Sequence, residues 1–336
     1  MKKILSVLLC VAAAGVMLSC SGGSSKSSAA SSAAAAVEDW KPTKEVEYVI
    51  PASAGGGSDL WARACSNAIT VNKLSEYMFV PTNKAGGASA VGYNYMLSKK
   101  GDAHTILALH SGALVSTYVA GWDHTFESYL EPIVILAYDD VLLCTLKIGP
   151  YNDIQSLLKA AKDNPGTIRF GSDQRLNSSQ YAFEMLKKEA GADMNYVQFD
   201  SSGDAATALL GGHVDVAILN PGECVGQVTA GTFTPVVTFA TERLKGKFDA
   251  PTFAEIGYPN ITMREFRGIA GTVNMPLAAK KYYEEMGKKL METQEFKNYI
   301  NSNGLTPTFM GIDEAPAYAT GEMKKIAALF AEVTKK

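Results

Sequence analysis

The chain has 336 residues, 47% of them hydrophobic, and a formal net charge of -3 at pH 7. A weakly acidic chain without a basic patch does not suit nucleic acid, whose binding needs clustered Lys and Arg. Of five cysteines, Cys10 and Cys20 lie near the start. Cys65, Cys144 and Cys224 fit no metal-ligand spacing and read as small buried hydrophobes.

Met1-Lys2-Lys3 is a basic start, followed by an apolar run from Ile4 to Leu18. That run has signal-peptide length and is too short for an ordinary membrane span. It ends at Leu18-Ser19-Cys20, which resembles a bacterial lipoprotein signal over residues 1–20, with Cys20 as the lipidated residue. Met17 stands where leucine is commoner, so a plain cleaved signal is the alternative. Ser21 to Ala36 is almost wholly Ser, Gly and Ala, and residues 21–43 read as a flexible tether. A signal, a lipid and a tether place the folded part outside the cytoplasm, held to a membrane through the lipid anchor alone.

About 300 residues follow, enough for two cores, since single cores stop growing near ~250–300 residues. Val46 to Ile50 reads as a buried strand that feeds Gly55-Gly56-Gly57-Ser58-Asp59 and then a helix. A glycine turn at a helix start exposes amides that have no partner in the helix and adds the positive end of its dipole. Such a turn suits a phosphate or a carboxylate. A glycine turn that only lets the helix pack closely on a sheet is the competing reading. The Walker loop fails for want of a Lys, and the dinucleotide fingerprint fails because Leu60 stands where its third glycine belongs. No cofactor is expected. Ser58 or Asp59 is expected to cap the helix, and Arg63 to pair with a carboxylate of the protein.

Further on, strands are expected at Tyr77 to Val80, His104 to His110, Ile133 to Ala137 and Val141 to Lys147, the last two split by Asp139 and Asp140. Helices are expected at Ala90 to Ser98 and Ile154 to Asp163. Then strand and helix alternate: Thr167 to Gly171, Ser179 to Ala190, Asn195 to Phe199, Asp204 to Leu210, Val214 to Leu219, a helix to Ala230, and Pro235 to Ala240. Thr241 to Arg243 and Ala250 to Gly257 read as a surface connection. A strand at Arg267 to Val273 and helices at Leu277 to Met291, Gln294 to Asn301 and Asp313 to Val333 complete the chain. Alternation of this kind argues an α/β protein with mostly parallel sheets. Ligands in such sheets sit at the carboxyl ends of strands. Those ends are rich in Gly, Ser and Asn: Ser53 to Asp59, Asn83 to Gly87, His110 to Gly112, Ser172 to Ser179, Asp200 to Asp204 and Asn220 to Glu223. Several open a helix, and together they would grip an anion with few fixed charges. Trp61 and Trp122 read as packing residues, and Trp40, beside the tether, as exposed. His104 and His213 lack a His or Cys partner at ligand spacing, so no metal is expected.

The turn Ile50-Pro51 to Asp59 with Arg63 resembles the opening motif of the substrate-binding proteins of tripartite tricarboxylate transporters, also called the Bug family. Asn83-Lys84-Ala85-Gly86-Gly87 is similar to its second glycine turn. Phe199 to Asn220 and the Pro251-Thr252…Glu255-Ile256-Gly257 connection resemble its later motifs, so the resemblance spans roughly Val46 to Met310. It implies a type II periplasmic-binding α/β fold with two lobes, a hinge and an interlobe cleft. Lobe 1 would be 44–140 plus 265–336, and lobe 2 141–264. It also implies crossings near Tyr138 to Leu143 and Glu265 to Thr272. The implied ligand is a small organic di- or tricarboxylate, delivered to membrane permease subunits without catalysis.

Carried over by motif, the implied ligand groups are Ser53, Ala54, Gly55, Gly56, Gly57, Ser58 and Asp59 in lobe 1. In lobe 2 they are Asn177, Ser178, Ser179, Ser201, Ser202, Gly203, Asp204, Asn220 and Glu223. His110 and Ser111 are added from the strand-end argument alone. Many members carry a basic residue and two glycines where this chain has Asp200-Ser201-Ser202, and a His where Gln180 stands. Two other classes compete. A secreted hydrolase would use Ser58 and His110, but the Gly-x-Ser-x-Gly elbow is absent. A receptor or sensor for a non-carboxylate solute would share the cleft.

Overall fold

The computed structural model describes residues 39–333 except 174 and 175. The expected signal segment, Cys20 and residues 21–38 of the expected tether lie outside the described residues. The chain opens β1 (Val46–Ile50), α1 (Gly57–Val71), β2 (Phe79–Asn83), α2 (Ala90–Ser98), β3 (Thr105–His110), α3 (Ser111–Val119) and β4 (Leu130–Tyr138). It crosses into β5 (Leu142–Leu146), α4 (Ile154–Asp163), β6 (Arg169–Ser172), α5 (Ser178–Ala190), β7 (Asn195–Gln198), α6 (Ser202–Leu210), β8 (Val216–Leu219), α7 (Pro221–Thr229) and β9 (Phe233–Thr238). After a long connection it returns through β10 (Phe266–Thr272), α8 (Leu277–Glu292), α9 (Gln294–Ser302), β11 (Thr306–Met310) and α10 (Ala315–Val333).

The strands form two sheets, β11-β4-β10-β3-β1-β2 and β7-β6-β8-β5-β9. One core packs α1, α8 and α9 on the first sheet, and a second packs α2, α3 and α10 on its other face. The second sheet has α4 and α5 on one face and α6 and α7 on the other. With both faces covered, the strands read as continuous apolar runs. Trp61 is fully buried between α1 and the sheet, and its indole N–H donates to Gly268 O at 3.2 Å. The backbones of β10 and β4 are close there: a Cβ on Gly268 would lie 1.9 Å from Val134 O.

The expectation of mostly parallel sheets is corrected. Four strand pairings are parallel, β1 with β2 and β3, and β6 with β7 and β8. The pairings of β10 with β3 and β4, of β11 with β4, and of β5 with β8 and β9 are antiparallel. The cause is the crossings. A strand that enters from the other sheet starts at the end where its neighbours finish, so β5 and β10 run against them. The carboxyl ends of β1, β2, β3, β6, β7 and β8 therefore all turn toward the crossings.

Two edge strands differ from the sequence reading. β2 lies two residues later than expected and runs through Pro81, and β11, with Pro307, was not expected. Both occupy sheet edges, where a strand tolerates proline because one side needs no ladder bond. Helix α3 was also not expected. Its Val and Thr residues argue against a helix, and burial of Leu114 and Val115 in the second core overrides that propensity. Trp40, expected to be exposed, is half-buried against His104, Tyr282 and Tyr283 at ring distances of 5.3–5.6 Å.

Gly268→Ala is expected to destabilise the protein by about 3 kcal/mol or prevent folding, because backbone at this contact cannot move aside. The midpoint of guanidinium unfolding measures it; an unchanged midpoint contradicts the close approach.

Candidate functional site

The chain passes between the sheets at residues 139–141 and at 239–265, and the two passages are hydrogen-bonded through Asp139 N to Glu265 O at 2.9 Å. Each end carries charge. Asp139 pairs with Arg267, and Asp140 with Arg264, whose guanidinium also lies 3.8 Å over the Tyr138 ring. The Asp139 and Arg267 side chains are each 4% exposed. Such a pair stabilises little on balance, but losing one partner costs about 3–5 kcal/mol.

The triple-glycine turn reaches this pair. A Cβ on Gly57 would sit 2.5 Å from Arg267 Nη2, so only glycine leaves room for the guanidinium. Gly55 has φ +84°, a conformation that also favours glycine. The expected capping is corrected: α1 begins at Gly57, and its N-cap is Gly56, which has no side chain to offer. Asp59 instead locks the turn. Its carboxylate accepts from Gly55 N at 3.0 Å, Asn83 Nδ2 at 3.0 Å and Arg63 Nε at 2.9 Å. The Arg63 hydrogen bond holds its carboxyl below the ordinary range. Ser53, Ala54 and Gly55 are exposed on the turn, and Gly56, Gly57 and Ser58 half-buried.

Opposite the turn, helix starts are closed by their own chain. Asn177 Oδ1 caps α5 by accepting from Gln180 N at 3.1 Å. Ser201 Oγ caps α6 by accepting from Asp204 N at 3.2 Å. Glu223 Oε2 accepts from Asn220 N at 3.3 Å at the start of α7. Asp204 accepts from the Ser201 hydroxyl at 2.7 Å and, like Gly203, is exposed, while Ser179 and Ser202 are buried. The mouth of α1 differs: its N-cap, Gly56, offers no capping side chain, and with Asp59 N donating to Gly56 O at 2.9 Å, the Gly57 and Ser58 amides stand at the mouth.

Three expected ligand groups meet on a residue the sequence reading did not place in the site. Glu265, 2% exposed, takes His110 Nε2 at 2.9 Å, Asn220 Nδ2 at 3.0 Å and the Ser178 hydroxyl. Burial alone would raise its carboxyl. The attraction of His110 and these hydrogen bonds outweigh that and bring it down to about 2. Ser111 Oγ accepts from Phe266 N at 2.9 Å beside it. Serine and histidine both bond the carboxylate, so the acid stands between them. A serine nucleophile needs the ring between itself and the acid, the reverse of this order. Beside α10, a cleft of about 310 Å³ has Glu265, Ser178 and Arg264 in its wall.

Asp173 and Glu223 also face this interior. Burial pushes both carboxyls up, Glu223 to about 8; for Glu223 the negative charge of Asp139 is the next cause and Arg267 opposes it, while hydrogen bonds from Asn177 and Ser179 oppose the rise at Asp173. The signal for Asp139, Glu265 and Arg267 was present as charged residues abutting apolar runs, at Asp139-Asp140 and at Arg264-Glu265-Phe266-Arg267. Charge at the mouth of a buried strand needs a partner. Among the described residues no group of three His, Cys, Asp or Glu is placed to hold a metal, and no helix is long and apolar enough to cross a membrane.

Two α/β halves with mixed sheets, joined by paired crossings with glycine and serine turns between them, define the periplasmic-binding-protein class. Solved structures of that class superpose on the chain. They include MatC from Rhodopseudomonas palustris with bound malate (TM-score 0.75, 18% identity, 86% of this chain and 99% of that one). A second R. palustris protein, with adipate, gives TM-score 0.77 at 19% identity over 86% and 98%. The periplasmic binding protein BugD gives 0.73 at 20% over 88% and 97%. A UPF0065 protein of Bordetella pertussis is 24% identical over 270 residues, 80% of this chain and 83% of the relative. The profile of the tripartite tricarboxylate transporter family receptor matches residues 62–334, and the chain belongs to that family of solute-binding receptors.

Glu265 and Glu223 bend stability in opposite directions with pH. Glu265 titrates lower folded than unfolded, so its contribution is complete above its ordinary 4.5 and is lost as pH falls toward about 2. Glu223 titrates higher folded, so its contribution is complete below 4.5 and is lost as pH rises through about 8. Urea unfolding from pH about 3 to about 8 is expected to show Glu265→Gln flattening the acid limb and Glu223→Gln the alkaline limb. Unchanged limbs contradict the assignment.

Proposed function

We propose that the protein is an extracytoplasmic receptor that captures a small organic carboxylate between two hinged lobes, 44–140 with 265–336 and 141–264. It hands the ligand to the membrane permease of a tripartite tricarboxylate-type transporter. The observation that carries this reading is the open mouth of α1, set against the Arg267 guanidinium at the crossing between the sheets. Helix amides and a guanidinium are both donors to an anion, and the two together suit a carboxylate. Malate and adipate in structures of the same fold agree with this ligand class. Closure would bring the start of α6, with Ser202, over the ligand, while Ser178 and Asn220 stay bonded to Glu265. The reading includes no bond-making step, and the order Ser178–Glu265–His110 speaks against a serine nucleophile. Cys20 would carry the lipid that holds the receptor at a membrane.

A thermal-shift screen of organic acids, amino acids and sugars tests the ligand class, because a ligand that binds the native state raises its Tm. Shifts are expected from carboxylates; shifts from sugars alone overturn the reading. Gly57→Ala, which drives a methyl into Arg267, is expected to weaken carboxylate binding by about tenfold or more. Cys20→Ser is expected to move the protein from the membrane to the soluble fraction of cells; retention in the membrane argues against lipidation.

A further inference from the structure

Cys65, Cys144 and Cys224 are the cysteines among the described residues, and all three are fully buried free thiols. Cys65 lies in the core that α1, α8 and α9 make with the first sheet. Cys144 and Cys224 share a different core, in the other half of the molecule. Side chains alternate along β5, so Leu143 faces α4 and α5 while Cys144 faces α6 and α7. Cys144 pairs with Ala217 of β8 on one side and Pro235 of β9 on the other, which places it inside the sheet rather than at its edge. Helix α7 leaves the end of β8 and packs back over that face, with Pro221 and Cys224 as its buried residues. The Cys144 and Cys224 side chains hydrogen-bond each other there. Cys224 Sγ also lies 3.6 Å from Asn220 O and from Pro221 O, so the backbone of the first turn fixes where it points. A disulfide requires two side chains already aimed at each other from adjacent elements, and this pair meets that requirement.

We propose that Cys144 and Cys224 are a disulfide site, joined as the protein folds outside the cytoplasm, so that α7 is tied to β5. This rests on the extracytoplasmic placement in the receptor reading above, where thiol oxidants are present. The oxidant is a disulfide exchange partner. One cysteine thiolate attacks its disulfide and releases one of its sulfurs, and the second cysteine then attacks the mixed disulfide and releases the other. The two cysteines lose two protons and two electrons, and the oxidant leaves as two thiols. The hydrogen bond with Cys224, with burial next, holds the Cys144 thiol well above its ordinary range. The thiolate is the attacking species, so the bond forms before α7 seats on the sheet, and the closed core then shields it. The bridge closes a loop of about 80 residues, and a loop of that length strongly restricts the unfolded chain. It also pins the start of α7, where Asn220 bonds Glu265, to the strand that leaves the first crossing.

The exported full chain, purified without reductant, is unfolded in urea with one alkylating reagent, then reduced and treated with a second reagent of different mass. Peptide mass spectrometry reads the label at each cysteine. Cys144 and Cys224 are expected to carry the second label, and Cys65 the first. Reduction is expected to lower the Tm by about 5 °C or more. Cys144→Ala is expected to lower it at least as far, and reduction then to change nothing further, whereas Cys65→Ala leaves the effect of reduction intact. The first label on Cys144 and Cys224 of the exported protein overturns the proposal, as does a bridge from either of them to Cys65. If fractionation finds the chain in the cytoplasm, the extracytoplasmic placement falls, and refolding from urea with oxidised glutathione then decides the site. A bridge between Cys144 and Cys224 supports it, and two free thiols overturn it.

Discussion

Buried charge at the two crossings is the constraint on which the rest of the molecule depends. Asp139 with Arg267 and Asp140 with Arg264 tie the outgoing passage to the returning one, and Asp139 N bonds Glu265 O between them. Apolar packing alone would leave the angle between the two sheets loosely set. Paired charges fix it by geometry, since neither partner can be displaced without leaving an uncompensated charge. Glu265 extends the constraint outward, because its donors come from β3, α5 and the cap of α7. The spacing between the halves is thereby set from within the protein.

The contrast among helix starts follows from single residues. Asn177 and Ser201 occupy the mouths of their own helices, and Gly56 cannot. A chain expected to present many open amide mouths keeps the mouth of α1 open and backs it with a guanidinium, which glycine at position 57 makes room for. In the proposed receptor, charge assistance would replace number of donors as the source of grip. Asp59, expected to cap the helix, does not, because Arg63 and Asn83 hold it at the base of the turn.

Much of the fold was legible. Val46 to Ile50 as a strand, Ala90 to Ser98 and Ile154 to Asp163 as helices all stand with the expected bounds; in Ile154 to Asp163 the apolar period is strong, and Ala90 to Ser98 is bounded by turn residues rather than by such a period. Strand direction was not legible, since an apolar run looks the same whichever end it starts from. Pro81 and Pro307 hid two edge strands, and tertiary burial hid α3. In the site, local motifs pointed to the glycine turn and the capped helix starts. Asp139, Glu265 and Arg267 were passed over because their roles arise from pairing over more than a hundred positions, which no local pattern reports.

Trp40 has a mechanical consequence. Its ring is wedged against His104, the residue before β3, and against Tyr282 and Tyr283 of α8. β3 then runs six residues toward the crossings, roughly 20 Å at strand rise. Tension reaching the body along its N-terminal backbone therefore enters at the starts of β1 and β3, the ends of those parallel strands away from the glycine turn. It loads an aromatic wedge and the foot of a central strand rather than the paired charges at the two passages.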